Sequence, residues 1–350
     1  MIDFVVPYHP SLRFDMPIPY GGMNRHIWAA HDRMFDWLAA HGMLPSTGNL
    51  SVLKGSRCDL LTGGFYPNAD MPTLVLLDQF MGWGFVLDDQ IDDADVGLDR
   101  DRTAAVIAEF VDILNDTPPP RLTPAGTALA DWWARLTAVS TEESWRRQFV
   151  HSTVAWLETM PLEARHWADG YVPGFDEYLA YRHLSIASWP YSDLCEIADH
   201  AELPGPVREL PAFAEMRLAM AHHVGLANDV ISYEKQRDVG RQHDAITILC
   251  HETGCTPAEG LRRVVEIVNG YLADFVDSRD RFLDQVRDAG FSPEIQRIAR
   301  LTAESLGTHL RAAVEWEILA AERFGDDYYY KRGNDPSVDD VLVHPHALRV

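Results

Sequence analysis

The run Asp88-Asp89-Gln90-Ile91-Asp92-Asp93-Ala94-Asp95 puts five acidic residues in eight positions, directly after the apolar stretch Met81 to Leu87. At about 100° per residue on a helix, Asp88 and Asp92 share a face one turn apart, with Met81, Gly84 and Phe85 below them on that face. The result is an acidic rim above an apolar wall. Carboxylates this close repel one another, and a hard divalent cation such as Mg2+ relieves the repulsion. The competing reading is a solvated acidic helix end, which would oppose the helix dipole.

A second pattern lies 140 residues further on, in Asn228-Asp229-Val230-Ile231-Ser232-Tyr233-Glu234-Lys235-Gln236. Asn228, Ser232 and Gln236 recur at i, i+4 and i+8 and form a stripe of oxygen-bearing side chains on a helix. Lys235 sits near the centre of that face, and Ala221 and Gly225 continue it with small side chains. Alone, this spacing reads as the polar face of an amphipathic helix. Together the two segments offer the hard oxygen ligands that Mg2+ takes alongside water and substrate phosphate. A diphosphate bridging two metal-bearing helices would fit, with Arg and Lys on its outer oxygens.

The elements that must carry these residues read as helices nearly throughout. Apolar residues recur at helical spacing over about 23–38, 72–92, 103–114, 141–163, 176–198, 213–236, 258–286 and 293–323. No strand pattern stands out. Pro/Gly-rich breakers fall between these runs, at 116–120, 170–174 and 203–206. A chain of 350 residues admits two domains by length, but the lack of a linker-like break predicts one all-α domain. The expected layout is an extended N-terminal arm over 1–20, a helical domain over 21–325, and a tail over 326–350 that is either free or folded over a site.

The net charge of -23 argues against nucleic acid as a partner. It also means that any anion site must gather local cations. Cys58, Cys195, Cys250 and Cys255 match no zinc pattern and are expected as buried free thiols in a reducing, cytoplasmic setting. The first 14 residues do not resemble a secretory signal. The longest apolar stretch, 71–87, is broken by Asp78 and is too short for membrane insertion.

With both motifs in place, the chain resembles a class I terpene synthase of the bacterial type, over roughly 7–324. DDQID at 88–92 is similar to the aspartate-rich motif DDxxD, and NDVISYEKQ at 228–236 to the metal triad NDxxSxxKE. The segment 178–185 resembles the one that carries the family's diphosphate-sensing arginine, and Arg182 stands 46 residues before Asn228, the family's spacing. Trp316 followed by Arg323-Phe324 resembles a C-terminal tryptophan and Arg-Tyr pair. Phe65-Tyr66-Pro67-Asn68-Ala69 also reads like the family.

The resemblance implies a single-domain helical bundle around a deep apolar cavity. Three Mg2+ ions would join both motifs to a prenyl diphosphate, C15 first and C20 second. Asp88 would ligate metal directly, with Asp89 and Asp92 in support and Asp89 paired to Arg323. Asn228, Ser232 and Gln236 would hold a further ion, while Arg182, Lys235 and Arg323 bind diphosphate. Ser185 and Ile186 fall where helix bending couples sensing to ionisation. Phe85 and Trp316 would face the carbocation, with Phe80 and Trp189 as weaker candidates. The resemblance admits a homodimer.

Two departures from the family stand out. Gln236 replaces the usual Glu and brings no charge, and Phe324 replaces Tyr. Glu234 does not compensate, because it points elsewhere on the helix. The departures leave a non-catalytic prenyl-diphosphate-binding protein as an alternative. A prenyl-chain-elongating synthase would need a second aspartate-rich motif where NDVISYEKQ stands. A di-iron bundle would need paired Glu-x-x-His helices, and Glu163-His166 lacks a partner.

Overall fold

Two helix starts show how this sequence marks its own boundaries. The Thr123 hydroxyl accepts from the Gly126 N–H (3.0 Å) and that of Thr256 from the Glu259 N–H (3.4 Å). Each threonine is followed by a proline at the first helical position, where no N–H is needed. A computed structural model describes residues 3–91, 100–238, 243–321 and 340–342. Among them are the strands β1 (Phe4–Val6) and β2 (His9–Phe14). The helices run α1 (Ile27–Ala40), α2 (Thr47–Ser56), α3 (Cys58–Phe65), α4 (Met71–Ile91), α5 (Arg100–Leu114), α6 (Pro124–Val139), α7 (Glu143–Asp169), α8 (Phe175–Ser185) and α9 (Ser188–Asp193). They continue as α10 (Cys195–Ala198), α11 (Gly205–Arg208), α12 (Pro211–Asp238), α13 (Ala245–Thr253), α14 (Pro257–Asp288) and α15 (Pro293–Ala321). The fold is all-α, as expected. Its residues group into two compact units, 1–22 with 171–325 and 23–170 with 326–350.

In the unit built on 23–170, α4 is the central rod. Its middle is buried on every side from Leu76 to Gly84, with Asp78 paired to His31 (3.1 Å) and Gln79 to Arg135 (2.8 Å), as a helix inside a core requires. Gly82 lets α1 approach, since a Cβ there would meet the Met34 sulfur at 2.4 Å. Phe80 stacks on Trp132 (4.3 Å) and Trp83 (5.6 Å) and leans on Phe149 (5.7 Å). The two indole N–H groups donate to backbone carbonyls, Trp83 to Ala125 (3.0 Å) and Trp132 to Leu76 (2.8 Å). Phe80 is therefore core packing. Near the end of α4, the Val341 N–H donates to Gln90 Oε1 (3.0 Å), Asp340 pairs with Arg102, and Val341 and Leu342 are buried.

In the other unit α12 is the buried rod, packed on α14 and α15. The N-terminal residues form an antiparallel hairpin, with Phe4 opposite Phe14 and Tyr8 left-handed at the turn. This corrects the expected extended arm. A two-stranded hairpin is marginal alone, and here Asn269 of α14 secures it, accepting from Asp15 N–H (3.0 Å) and donating to Arg13 O (3.2 Å). The single helix expected over 176–198 is also corrected: it breaks into α8, α9 and α10. Pro190 has no N–H and its ring crowds the preceding turn, and Ala187 takes up the break with φ of 58°. The helices α2, α3, α6, α11 and α13 are additions to the sequence reading. Two of the four thiols, Cys58 and Cys195, are buried as expected, whereas Cys250 and Cys255 are half-buried with their sulfurs 3.0 Å apart.

His223 on α12 is fully buried, and neither ring nitrogen has a hydrogen-bond partner among the described residues. Burial pushes its imidazole down from 6.5 to about 3. Between those values the unfolded chain binds a proton that the native protein does not. The native state therefore loses stability as pH falls below about 6.5. His223→Leu removes this term, and the variant is expected to gain about 2 kcal/mol on the native protein between pH 8 and pH 5. Urea midpoints at both pH values measure it; parallel pH dependence in the two proteins would overturn it.

Candidate active site

Arg182 is the hub of the site residues in the 171–325 unit. It sits on the last turn of α8, where its guanidinium reaches α12. Nε donates to Asp229 Oδ1 (3.0 Å), Nη1 to Ser185 Oγ (3.2 Å), and Nη2 to Asn228 Oδ1 (2.8 Å) and Gly225 O (3.2 Å). The two helices come close at Gly225, where a Cβ would lie 3.4 Å from Arg182 Cγ, in van der Waals contact. The small residue read from sequence is where the two helices meet. Ser185 thus shares a network with Arg182 and Asn228, and Ile186 caps α8 at the helix break.

Asp229, which the sequence reading left without a role, anchors this network. It is buried and accepts from Tyr178 Oη–H (2.7 Å) and the Ala245 N–H (3.1 Å) as well as from Arg182. Burial pushes its carboxyl up, while the Arg182 charge, the Tyr178 hydroxyl and the Ala245 amide pull it back down. Burial also pushes the Tyr178 phenol well up, so it remains a donor. Asp244 caps α13 through the Ile246 and Thr247 N–H groups, and burial lifts its carboxyl to about 6. The available signals were Asp229's place beside Asn228 and Tyr178's place one turn before Arg182.

On α12 the Asn228 and Ser232 side chains stand one turn apart. Ser232 Oγ–H donates to the Asn228 carbonyl (2.7 Å), which leaves its lone pairs as acceptors. Asn228 Nδ2 donates to Glu317 of α15. These amide and hydroxyl oxygens are hard donors and fit a Mg2+-type cation. Lys235 and Gln236 lie on the α12 backbone, with side chains outside the described set. Glu234 pairs with His9 (3.2 Å) on the hairpin, consistent with its expected position off the stripe.

In the 23–170 unit, Asp88 is exposed at the end of α4, Asp89 is half-buried, and Phe85 one turn earlier is half-buried. Asp92, Asp93 and Asp95 lie outside the described residues, as do Arg323 and Phe324. Trp316 on α15 is half-buried. Trp189 belongs to a packing cluster, donating its N–H to Arg217 O (3.2 Å) with the Arg217 guanidinium over its ring (5.1 Å). His222 stacks on Tyr271 (4.6 Å), in keeping with a structural role, and burial lowers its imidazole to about 4.

A family profile described as "Terpene synthase family 2, C-terminal metal binding" matches residues 79–274. A (2Z,6E)-hedycaryol synthase of Kitasatospora setae is 28% identical, over 93% of this chain and 94% of that protein. A (-)-beta-caryophyllene synthase ((2E,6E)-farnesyl diphosphate cyclizing) of Saccharothrix espanaensis is 30% identical, over 95% of this chain and 94% of its own length. The solved structure of a hedycaryol synthase in complex with nerolidol superposes with a TM-score of 0.75 at 27% identity, covering 89% of this chain and all of that one.

The fold and the match define a class I terpenoid synthase. The chain belongs to terpene synthase family 2, a family defined by a C-terminal metal-binding region. It is a terpene synthase, as the motifs led one to expect, and the chain-elongating and non-catalytic readings give way to it. No described helix is long and apolar enough to cross a membrane.

Proposed function

We propose that this terpene synthase ionises and cyclises farnesyl diphosphate in a Mg2+-dependent reaction, releasing diphosphate. The network that joins Arg182 to Asn228 and, through Asp229, to α13 carries this reading. Asp88, supported by Asp89 and Asp92, ligates metal, and Asn228, Ser232 and Gln236 hold a further ion. The resemblance sets the number of Mg2+ ions at three. When bound, Mg2+ neutralises charge that builds on the departing diphosphate.

Arg182 senses the diphosphate by exchanging its Asn228 contact for a phosphate oxygen while Asp229 keeps the guanidinium oriented. Lys235 and Arg323 bind the outer oxygens. Ser185 and Ile186, at the break before Ala187, pass the movement of Arg182 along the chain. Phe85 and Trp316 present ring faces that stabilise a carbocation without attacking it. Residues 21–325 form the catalytic domain.

The C15 assignment draws on the caryophyllene synthase, whose name specifies farnesyl diphosphate. The test is incubation of the purified protein with Mg2+ and the C10, C15 and C20 prenyl diphosphates, followed by mass spectrometry of the volatiles. A C15 hydrocarbon or alcohol is expected. Absence of product from all three would overturn the proposal, and product from C20 alone would overturn the chain length.

A further inference from the structure

The ligand stripe on α12 lacks a negative charge. Asn228, Ser232 and Gln236 are all neutral. The two carboxylates nearest in sequence are committed elsewhere: Asp229 to Arg182, Tyr178 and Ala245, and Glu234 to His9. Glu317 touches the stripe itself. It comes from α15, is 5% exposed, and accepts a hydrogen bond from Asn228 Nδ2.

The Asn228 amide is therefore gripped from both ends by groups of opposite character. A guanidinium donor meets Oδ1 at 2.8 Å and a carboxylate acceptor meets Nδ2. An amide reversed between these partners would place donor against donor and acceptor against acceptor, so its orientation is set. The ligating oxygen faces away from Glu317, and the carboxylate stands directly behind the amide. Groups that hydrogen-bond to a metal ligand orient it and raise its donor strength.

We propose that Glu317 is a positioning residue of the metal site: it holds the Asn228 amide with Oδ1 turned to the Arg182 side and supplies the negative charge that Gln236 does not. The inference rests on Asn228 serving as a metal ligand. It makes Gln236 a charge relocated to α15.

The test measures metal binding directly. Mn2+ is titrated in the presence of inorganic diphosphate and followed by electron paramagnetic resonance, with melting midpoints as a control for folding. Glu317→Gln keeps an acceptor for Asn228 Nδ2 and removes only the charge. It is expected to weaken Mn2+ binding about tenfold, the lower end of what loss of such a partner does. Adding Gln236→Glu to that variant is expected to restore affinity to within about threefold of the native protein. Glu317→Asp, which keeps the charge, should stay within about threefold and stands in if the glutamine variant does not fold.

Native-like Mn2+ affinity in Glu317→Gln, or a double variant with no recovery, would overturn this inference alone. A tenfold loss in a well-folded Glu317→Asp would overturn the charge assignment. Native protein that binds no Mn2+ with diphosphate would overturn the metal role of Asn228, and this inference with it.

Discussion

Arg182→Met is expected to remove turnover and to lower stability by about 3–5 kcal/mol, the range for a buried ion pair that loses one partner. The size of the effect comes from Asp229. Its side chain is 2% exposed and that of Arg182 is 11% exposed, so water offers little substitute for the guanidinium. Methionine fills much of the space but leaves the carboxylate with only the Tyr178 hydroxyl and the Ala245 amide. The Asp229 carboxyl, already raised by burial, then rises further. The pH dependence follows in sign. The unfolded chain releases this proton near the ordinary aspartate value, and the variant's folded state releases it only at higher pH. Stability is therefore lost as pH rises between the two, and the deficit is larger at pH 8 than at pH 5. Adding Asp229→Asn removes the orphan charge, so the double variant should unfold less readily than the sum of the single effects predicts. Denaturant midpoints and diphosphate release measure both effects. A variant with native midpoint and native turnover would show that the α8–α12 network has neither role.

The parts of this fold legible in the sequence are those set by local periodicity and local capping. The helices α4, α12, α14 and α15 have apolar residues at helical spacing over five or more turns, and their boundaries fall within a few residues of the expected ones. The start of α6 was equally plain in Thr123-Pro124, and its apolar set (Ala128, Leu129, Trp132, Leu136) has helical spacing; that helix could have been found. The hairpin at residues 4–14 could not. Its strands are short, with Pro10 inside one and Pro7 at the turn, and what secures them is Asn269, more than 250 residues away in the chain. The site divides the same way. The ligand types and their i, i+4 spacing were visible because one helix carries them. Glu317 became visible only once α15 had been laid against α12, since no sequence spacing connects it to Asn228. The helix break at Ala187 lies between: Pro190 announces it, but the left-handed residue that absorbs it is an ordinary alanine.

Asp88→Ala separates activity from stability in the 23–170 unit. The turns of α4 before it are held by Phe80 and Trp83 in a stacked aromatic cluster, with both indole donors of that cluster satisfied by backbone carbonyls. The backbone under Asp88 is thus fixed by packing that the aspartate does not take part in. Its carboxylate is exposed and adjacent to that of Asp89, so its removal relieves repulsion at the helix end. Stability is expected to change by no more than about 0.5 kcal/mol, as for other surface substitutions. Turnover should fall by about 10²-fold or more, because in the proposed mechanism the substitution removes charge that would hold the metal against a developing anion. The loss should also depend on the metal: raising Mg2+ should recover part of it, since a site short of one ligand binds the ion more weakly but still binds it. The variant's rate as a function of Mg2+ concentration therefore discriminates. A rate within tenfold of native at every Mg2+ concentration would make the acidic cluster a solvated helix end. A large loss that Mg2+ does not touch would place Asp88 on the substrate path without contact to the metal. Recovery with Mg2+ at unchanged melting temperature is the outcome that assigns the charge of Asp88 to the cation.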